Sequence, residues 1–405
     1  MTKLERILGS AKDAWIVFGI TLLLLVLLEA ALSLAFFARS YATGDPDIED
    51  YKANADVYSD SPWVHRYRKE FHESNVMKWV SYVYWRRQPY RGDHINVDSS
   101  GIRRSWAPAT RPPGPSDRAT VFMFGGSTMW GAGARDDFTI PSILAKQLAK
   151  DGRAFDITNF GEAGYVSTQE VIALLLELQK GNIPDIVIFY DGFNDTYSAY
   201  QQRVAGLPLN EPNRAREFNL STKKKLKELR TQVLRDMVDD LSTIRFSRGL
   251  VPRWRNRDES KLFANQENAV DSASTGGPDA LGVLATYRNN VELVKALAGH
   301  YGFRYLFYWQ PTIFHKTHLT EYEESERKKL HAMESFFLEA YDAVRQSGLT
   351  RGGDHPVHDI SRILSDVNDP LYMDFCHLGE PGNELIARRM ATDVVSIMDV
   401  DALRP

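Results

Sequence analysis

A serine, a histidine and an aspartate stand in short segments whose composition suits nucleophilic chemistry. Ser127 follows two glycines in FGGSTMWG, residues 124–131, and such a turn can present a hydroxyl at the edge of a sheet. Asp374 and His377 are three residues apart in DFCHLGEPGN, residues 374–383, so the carboxylate can meet the imidazole across one turn. Asp374 would then hold the tautomer of His377, whose other nitrogen takes the proton from Ser127. These residue types predict attack on an acyl group.

Taken singly, each of these segments also has a structural interpretation. A glycine-rich turn can bind phosphate, but no lysine stands where a P-loop needs one and no G-x-G-x-x-G fingerprint begins here. Nucleotide binding is therefore disfavoured. A D-x-x-H pair on its own usually belongs to a solvated loop or a helix cap. Cys376 lies between Asp374 and His377, and without a second base to activate it we interpret it as a small packing residue.

Two further segments carry hydrogen-bond donors that suit a developing negative charge. NFGEAG ends in Gly164, whose backbone N–H can come close to a ligand, and DGFND contains the side-chain amide of Asn194. The alternative is a turn-forming glycine and a capping asparagine. Asn194 also begins an N-x-T glycosylation sequon, and a glycan there would destroy the donor site. We therefore predict that Asn194 is unmodified.

The elements that position these residues are predicted to alternate between strand and helix from about residue 118. Short apolar runs predict four strands: ATVFMFG and PDIVIFYDG as buried strands, FDITNF as a short second strand and FRYLFYWQP as the fourth. Helical periodicity appears at 142–150, 169–179, 288–299, 321–346 and 383–398. This alternation indicates an α/β fold with a doubly wound parallel sheet covered on both faces. Three of the four chemistry-bearing segments follow strands, so we expect them to converge on one sheet edge, where open α/β folds bind ligands.

The four segments together resemble the blocks of the SGNH (GDSL-like) hydrolases, over about residues 118–400. The blocks occur in the family's order: GGS with Ser127, N-x-G-x-x-G with Gly164, G-x-N-D with Asn194, and D-x-x-H with Asp374 and His377. The resemblance implies a flavodoxin-like three-layer sandwich, Ser127 as nucleophile, His377 as base, and an oxyanion hole from the Ser127 and Gly164 N–H groups and the Asn194 side chain. The first block departs from the family's GDS by reading GGS, as in many membrane-anchored bacterial members.

The amino terminus contains an apolar stretch that is long enough to cross a membrane as a helix. Residues 15–38 carry Glu29 as their one charge, and the stretch is longer than the apolar region of a signal peptide. Lysine and arginine precede it and four carboxylates follow it, which predicts a cytoplasmic amino terminus and an extracytoplasmic remainder. Glu29 is interpreted as a protonated or snorkelling side chain, or alternatively as a polar contact to a partner membrane protein.

Composition bounds the remaining possibilities. The chain has 405 residues, 43% of them hydrophobic, and a formal net charge of −4, which gives no indication of nucleic-acid binding. Its single cysteine excludes an intrachain disulfide and a cysteine-built zinc site. His355 and His358 form an H-x-x-H pair without further placed ligands, so no metal or cofactor is predicted.

The expected domain organisation has one hydrolase-like domain behind an anchor. A basic amphipathic helix is predicted within the insertion of that domain, and the arginine- and aromatic-rich juxtamembrane segment is interpreted as lying on its own domain with solvated arginines. The alternative is a segment that touches lipid headgroups or an anionic polymer. The expected bounds are a cytoplasmic end at 1–13, a transmembrane anchor at 14–38, a juxtamembrane segment at 39–116, and the hydrolase-like domain at 117–405 with an insertion at about 200–282.

The function that these features favour is a serine ester hydrolase outside the cytoplasm. Its expected substrate is an acylated glycan, a lipid or a small ester, with removal of an acetyl group from a surface polysaccharide as the first hypothesis. An acyltransferase that uses the same three residues remains an alternative. A non-catalytic subunit of a membrane complex is the other, motivated by Glu29, the basic insertion and the long approach segment.

Overall fold

The computed structural model describes the chain in nine stretches, which fall into two compact units. The described residues are 3–43, 55–58, 61–108, 118–150, 155–219, 230–231, 241, 279–350 and 357–402. One unit comprises 1–50 and 213–265, and the other comprises 51–212 and 266–405. The basic amphipathic helix predicted within 200–282 lies almost entirely outside the described residues.

The first unit contains α1, Lys3–Thr43, a helix of 41 residues. Its segment Ala14–Ala35 has a mean hydropathy of 2.5 and none of it is buried, so it is long and apolar enough to cross a membrane. A signal sequence near an amino terminus has the same properties. The described structure therefore establishes one apolar amino-terminal helix that is a candidate span, and leaves its orientation as a prediction.

The second unit is built on a five-stranded sheet in which every neighbouring pair is parallel. Its strands are β5 Ala119–Gly125, β6 Phe155–Asn159, β7 Ile186–Asp191, β8 Arg304–Trp309 and β9 Val357–Asp359, in the spatial order β6-β5-β7-β8-β9. All six residues of the central strand β7 are buried, as expected for a strand covered on both faces. This order, 2-1-3-4-5, is the flavodoxin-like one, so the predicted α/β fold class is confirmed.

Helices cover the sheet, and they are longer or more divided than periodicity predicted. The described helices of this unit are α2 Val64–Ser74, α3 Ser127–Trp130, α4 Ile140–Lys150, α5 Ser167–Gln179, α6 Phe193–Gln202, α8 Ala280–Tyr301, α9 Glu321–Lys329, α10 His331–Gln346 and α11 Glu380–Ala402. A further helix, α7 Glu211–Asn219, includes the sequence position at which the two units are divided. The helical pattern at 321–346 is two helices, divided at the buried Leu330. The division lets α9 bury Glu323 and Glu326 and expose most of its other charges, while α10 turns its apolar face to the core.

One strand, β9, was not predicted from the sequence. β9 is only three residues long and pairs with the end of β8 through Phe307 and Val357. Its His358 is the described member of the H-x-x-H pair, and its ring stacks on Tyr308 at 5.1 Å and lies 3.2 Å from an Arg389 nitrogen. A strand this short has no alternation to detect.

The segment before β5 folds onto the sheet unit as two small hairpins and a helix. The hairpins pair β1 Met77–Val80 with β2 Tyr84–Arg87, and β3 Tyr90–Arg91 with β4 Asn96–Val97. The expectation of solvated arginines is wrong for Arg86, Arg87 and Arg103, which are 8%, 1% and 1% exposed. Each lies against aromatic rings, and Arg87 and Arg103 face the buried carboxylates of Glu162 and Asp136, because a buried guanidinium needs such partners.

Candidate active site

The turn after β5 places Ser127 at the carboxyl edge of the sheet. Gly126 is the N-cap of the one-turn helix α3, which Gly131 ends in the left-handed conformation with a φ of 96°. The helix has only four residues, so backbone amides of the turn, and not a helix dipole, are the local donors. A strand feeding directly into so short a turn holds the serine in a fixed place.

Ser127, His377 and Asp374 are connected by two short hydrogen bonds. His377 Nε2 lies 2.6 Å from Ser127 Oγ, and His377 Nδ1 lies 2.6 Å from Asp374 Oδ2. The two ring nitrogens therefore face different partners, as a base requires when it takes a proton from a hydroxyl on one side and is held by a carboxylate on the other. Residues 250 positions apart in the chain are brought within proton-transfer distance.

The carboxylate of Asp374 is held from both sides. Its Oδ1 accepts the backbone N–H groups of Cys376 at 2.8 Å and His377 at 2.7 Å, which leaves Oδ2 for the imidazole. The side chains of Asp374 and His377 are 6% and 15% exposed. An ion pair with this little exposure to water is stronger than one in bulk solvent, so the carboxylate can stabilise an imidazolium.

Of the predicted oxyanion donors, the Asn194 amide lies beside the turn that carries the serine. Asn194 follows β7 at the start of α6, and its Nδ2 donates to the carbonyl of Tyr165 at 2.8 Å, which fixes the amide and leaves its second hydrogen for another acceptor. A Cβ on Gly126 would lie 2.1 Å from that same Nδ2, so only glycine admits the amide next to the serine. Gly164 has a φ of 73°, a conformation that glycine adopts without strain.

Replacing Asn194 with alanine is expected to lower kcat by about 10²- to 10³-fold, because one donor to the transition-state oxygen is lost. The substrate binds before that charge develops, so KM should change little. The measurement is steady-state hydrolysis of a short-chain aryl ester. Asn182→Ala is the matched control, because Asn182 lies after the end of α5 and its amide donates to Glu177. An Asn194 variant with unchanged kcat would remove the residue from the oxyanion hole.

A metal is the other ligand that this cluster could hold. Among the described residues, a group of His, Cys and carboxylate atoms close enough for one ion is Asp374, Cys376 and His377, whose ligand atoms lie within 4.8 Å of one another. Both Asp374 oxygens and both His377 ring nitrogens already have the short bonds given above, and Cys376 is 3% exposed. Because an ion would have to break the Asp374–His377 bond, the donor set favours proton transfer over metal binding.

A buried acidic cluster that includes Asp195, the residue after Asn194, was not predicted from the sequence. Glu170, Asp191 and Asp195 are 1%, 3% and 4% exposed, and burial raises the pKa of Asp191 to about 8. Burial also raises the pKa of Glu170 well above its ordinary value, and the neighbouring charge of Asp191 adds to that rise. Asp195 accepts hydrogen bonds from the Ser167 hydroxyl and amide. Acidic residues at 170 and 191 gave no signal because periodicity alone does not reveal that both face the interior.

The cluster predicts a loss of stability as pH rises. A carboxyl whose folded pKa is raised binds its proton more tightly in the folded than in the unfolded chain, so stability falls from about pH 4, the unfolded value. The fall continues through the folded pKa, about 8 for Asp191. Glu170→Gln removes one titrating group whose pKa is raised, so we expect added stability at pH 8 relative to the parent and little change near pH 4. Denaturant unfolding at the two pH values measures this.

The control for Glu170→Gln is Glu292→Gln. The Glu292 side chain is 59% exposed, so this substitution should leave the unfolding curves at both pH values unchanged. A Glu170→Gln protein with the same pH dependence as the parent would mean that Glu170 does not titrate with a raised pKa in the fold.

Fold and site together define the class: an α/β protein with a flavodoxin-like parallel sheet and a Ser-His-Asp arrangement at its carboxyl edge. No family model matches the chain, and a search of curated proteins finds no match. Solved structures that match include a lipase/acylhydrolase from Enterococcus faecalis, at 14% identity and a TM-score of 0.37, covering 68% of this chain and 95% of that one.

Two further solved structures are similar at the same level. A member of the lipolytic protein G-D-S-L family from Veillonella parvula is 13% identical with a TM-score of 0.34, covering 66% of this chain and 94% of that one. A family 3 carbohydrate esterase from Clostridium thermocellum is 12% identical with a TM-score of 0.36, covering 70% and 98%. Scores this low add nothing to the assignment, which rests on the geometry of the site.

Proposed function

We propose that the chain is a serine ester hydrolase of the SGNH type, with Ser127 as nucleophile, His377 as base and Asp374 as its partner. The observation that carries the proposal is the pair of 2.6 Å hydrogen bonds that join the three side chains at the carboxyl edge of the sheet. The order of the four sequence blocks supports it independently, because that order is a property of the sequence and does not depend on any distance in the structure.

The geometry supports a two-step reaction through an acyl-enzyme. The Ser127 oxygen bonds to the carbonyl carbon while its proton passes to His377 Nε2, and the carbonyl oxygen takes the negative charge. The Ser127 and Gly164 N–H groups and the Asn194 amide donate to that oxygen. The ester C–O bond then breaks, and the alcohol leaves with the proton from His377. Water adds to the acyl-enzyme in the same way, which releases the acid and restores Ser127.

The proposed location is outside the cytoplasm, behind an amino-terminal anchor at 14–38. The apolar helix and the basic residues before it support this orientation. An ester on a surface glycan, a lipid or a small molecule is accessible there, and removal of acetyl groups from a polysaccharide is the reaction we favour. Protease protection of spheroplasts tests the topology, since the carboxyl-terminal domain should be digested only when the outer face is accessible.

Hydrolysis and acyl transfer differ only in the acceptor for the acyl group, so product analysis distinguishes them. The full chain in detergent is given an aryl acetate with and without a sugar acceptor. Free acetate in both reactions supports the hydrolase, and acetylated sugar at the expense of acetate supports the transferase. A fluorophosphonate that fails to label Ser127 would instead favour a non-catalytic subunit.

A further inference from the structure

The hairpin formed by β1 and β2 exposes aromatic rings that the proposed reaction does not use. Trp79 is 67% exposed and Tyr82 is 74% exposed, although residues this large and apolar are usually more covered. Trp79 lies opposite Trp85 in the register of the hairpin. The exposed side of the hairpin is therefore a surface that no described part of the chain covers.

Trp79 is the outer end of a series of ring contacts that leads to the oxyanion donors. We call Trp79, Tyr84, Trp85 and Tyr165 the aromatic ladder. The ring centroids of Trp79 and Tyr84 are 5.2 Å apart at an interplanar angle of 30°, and those of Tyr84 and Trp85 are 6.4 Å apart at 25°. Trp85 meets Tyr165 edge-on at 5.7 Å. The outer three rings thus lie nearly parallel to their neighbours.

The inner end of the ladder is fixed to the candidate active site. The Trp85 indole donates to the carbonyl of Ala163 at 2.8 Å, and a Cβ built on Gly164 would lie 3.7 Å from the Trp85 ring. The Tyr165 carbonyl is the acceptor that orients Asn194. The ladder therefore runs from an exposed ring to the two residues proposed as oxyanion donors, with no more than three ring-to-ring steps.

The hairpin holds its outer rings in a strained backbone. Tyr82 and Tyr84 have φ values of 71° and 73°, in the left-handed region that residues with a Cβ rarely adopt. The Tyr84 hydroxyl is held by Glu211 at 3.1 Å. Strain of this kind persists where the surroundings impose it, and it concentrates at ligand-binding positions. Here the turn brings Tyr84 flat against Trp79.

We infer that the outer rings of the aromatic ladder, with the exposed Trp79 first, are a binding platform for the sugar rings of an acylated polysaccharide, which they lead toward Ser127, while Tyr165, 1% exposed, only anchors the ladder. This rests on the proposed hydrolase and names its substrate class. The C–H groups on the flat face of a sugar ring pack against the negative face of an aromatic ring, and the exposed Trp79 offers such a ring, held by Tyr84 and Trp85 stacked behind it. A small ester or a single acyl chain would not need a surface that extends so far from the serine.

A lipid surface is the other partner that exposed tryptophan and tyrosine suit. One feature favours the glycan: the rings of the ladder contact one another in succession along a path to the donors instead of projecting together from one tip. An inserting hairpin would use Tyr82 at least as much as Trp79.

The test compares substrates of increasing length on the full chain in detergent. The substrates are acetylated xylo-oligosaccharides from one to six sugars long, with p-nitrophenyl acetate as the short reference. For the parent, kcat/KM per acetyl group should rise with length and then level off. Trp79→Ala should lower kcat/KM for the longest substrate about tenfold, mainly by raising KM, and should keep kcat/KM for the aryl ester within about twofold of the parental value. Trp79→Phe should recover most of the loss.

Tyr82→Ala is the matched control, because it removes an equally exposed ring at the same hairpin and should keep the length dependence. A length dependence that is absent in the parent, or unchanged in Trp79→Ala, overturns the platform. Equal losses on the short and long substrates would also overturn it, because the change would then act on the serine site. A Trp79→Ala loss that appears only in lipid vesicles, and is shared by Tyr82→Ala, would assign the hairpin to the membrane.

A binding measurement distinguishes failure of the platform from failure of the proposed function. In the Ser127→Ala chain, binding of unacetylated xylohexaose is measured by calorimetry with and without Trp79→Ala. About tenfold weaker binding without the indole supports the platform even if no ester is hydrolysed. Absence of binding to the chain that retains Trp79 overturns the platform, whatever the aryl ester assay gives.

Discussion

Ser127→Ala is expected to lower kcat for aryl acetate hydrolysis by about 10⁴- to 10⁶-fold, because the remaining groups can bind the ester but no oxygen is placed to attack it. Fluorophosphonate labelling should disappear with it. The stability of the folded protein should change little, because the described hydrogen bond of the Ser127 hydroxyl is the one to His377 Nε2. Rates with the full chain in detergent, together with thermal unfolding of the same samples, measure both effects.

The neighbouring hydroxyl provides a control for Ser127→Ala. Thr128 is on the same turn, but its Oγ1 bonds Gln310 Oε1 at 3.2 Å and does not face the imidazole. Thr128→Val should therefore keep kcat within about tenfold and reduce stability by about 1 kcal/mol, the usual net value of one hydrogen bond. A Ser127→Ala chain that still hydrolyses the ester at the parental rate would end the assignment of the nucleophile.

The strand positions and the order of the site segments could be predicted from the sequence because both depend on local patterns. Apolar runs identify buried strands such as β7, and in a parallel sheet the carboxyl ends meet at one edge. This argument brings Ser127, Gly164 and Asn194 together without coordinates. It does not place His377, which follows no strand of the sheet, and its position at 2.6 Å from Ser127 emerges only in the folded chain.

The packing of the segment before the sheet could not be predicted, because it depends on contacts between residues that are distant in the chain. Arg87 faces Glu162, 75 residues later in the chain, and both are at most 1% exposed. A sequence shows an arginine among aromatics and favours a solvated surface for it, because most arginines are solvated. The pairing becomes visible only when the segment 61–108 is packed on the sheet unit.

The buried pair links the segment before the sheet to the oxyanion loop. Glu162 accepts the backbone N–H of Arg87 at 2.8 Å, and its own N–H donates to the carbonyl of Gly125, two residues before Ser127. Trp85, which contacts the same loop at Ala163, belongs to the same strand β2. One short strand therefore supports the loop that carries Gly164 and also carries two rings of the aromatic ladder. This shared support is why we place substrate selection in the segment before the sheet.

Asp374→Asn is the second change with a large expected effect, and it tests the role of the carboxylate separately from its support of the turn. The asparagine oxygen can still accept the N–H groups of Cys376 and His377, so the turn should stay in place. Its amide nitrogen would then face His377 Nδ1 and donate to it. The ring would carry its proton on Nε2, toward Ser127, and could not accept the serine proton.

We therefore expect Asp374→Asn to lower kcat by about 10⁴-fold while the unfolding temperature changes little. The measurement is aryl acetate hydrolysis and the rate of fluorophosphonate labelling, which should fall together because both need a deprotonated serine oxygen. Asp366→Asn is the control, since Asp366 is an exposed residue before the same turn and should leave both rates unchanged. If Asp374→Asn kept more than a tenth of the parental kcat, the carboxylate would serve only to shape the turn, and His377 would have to be oriented by the backbone alone.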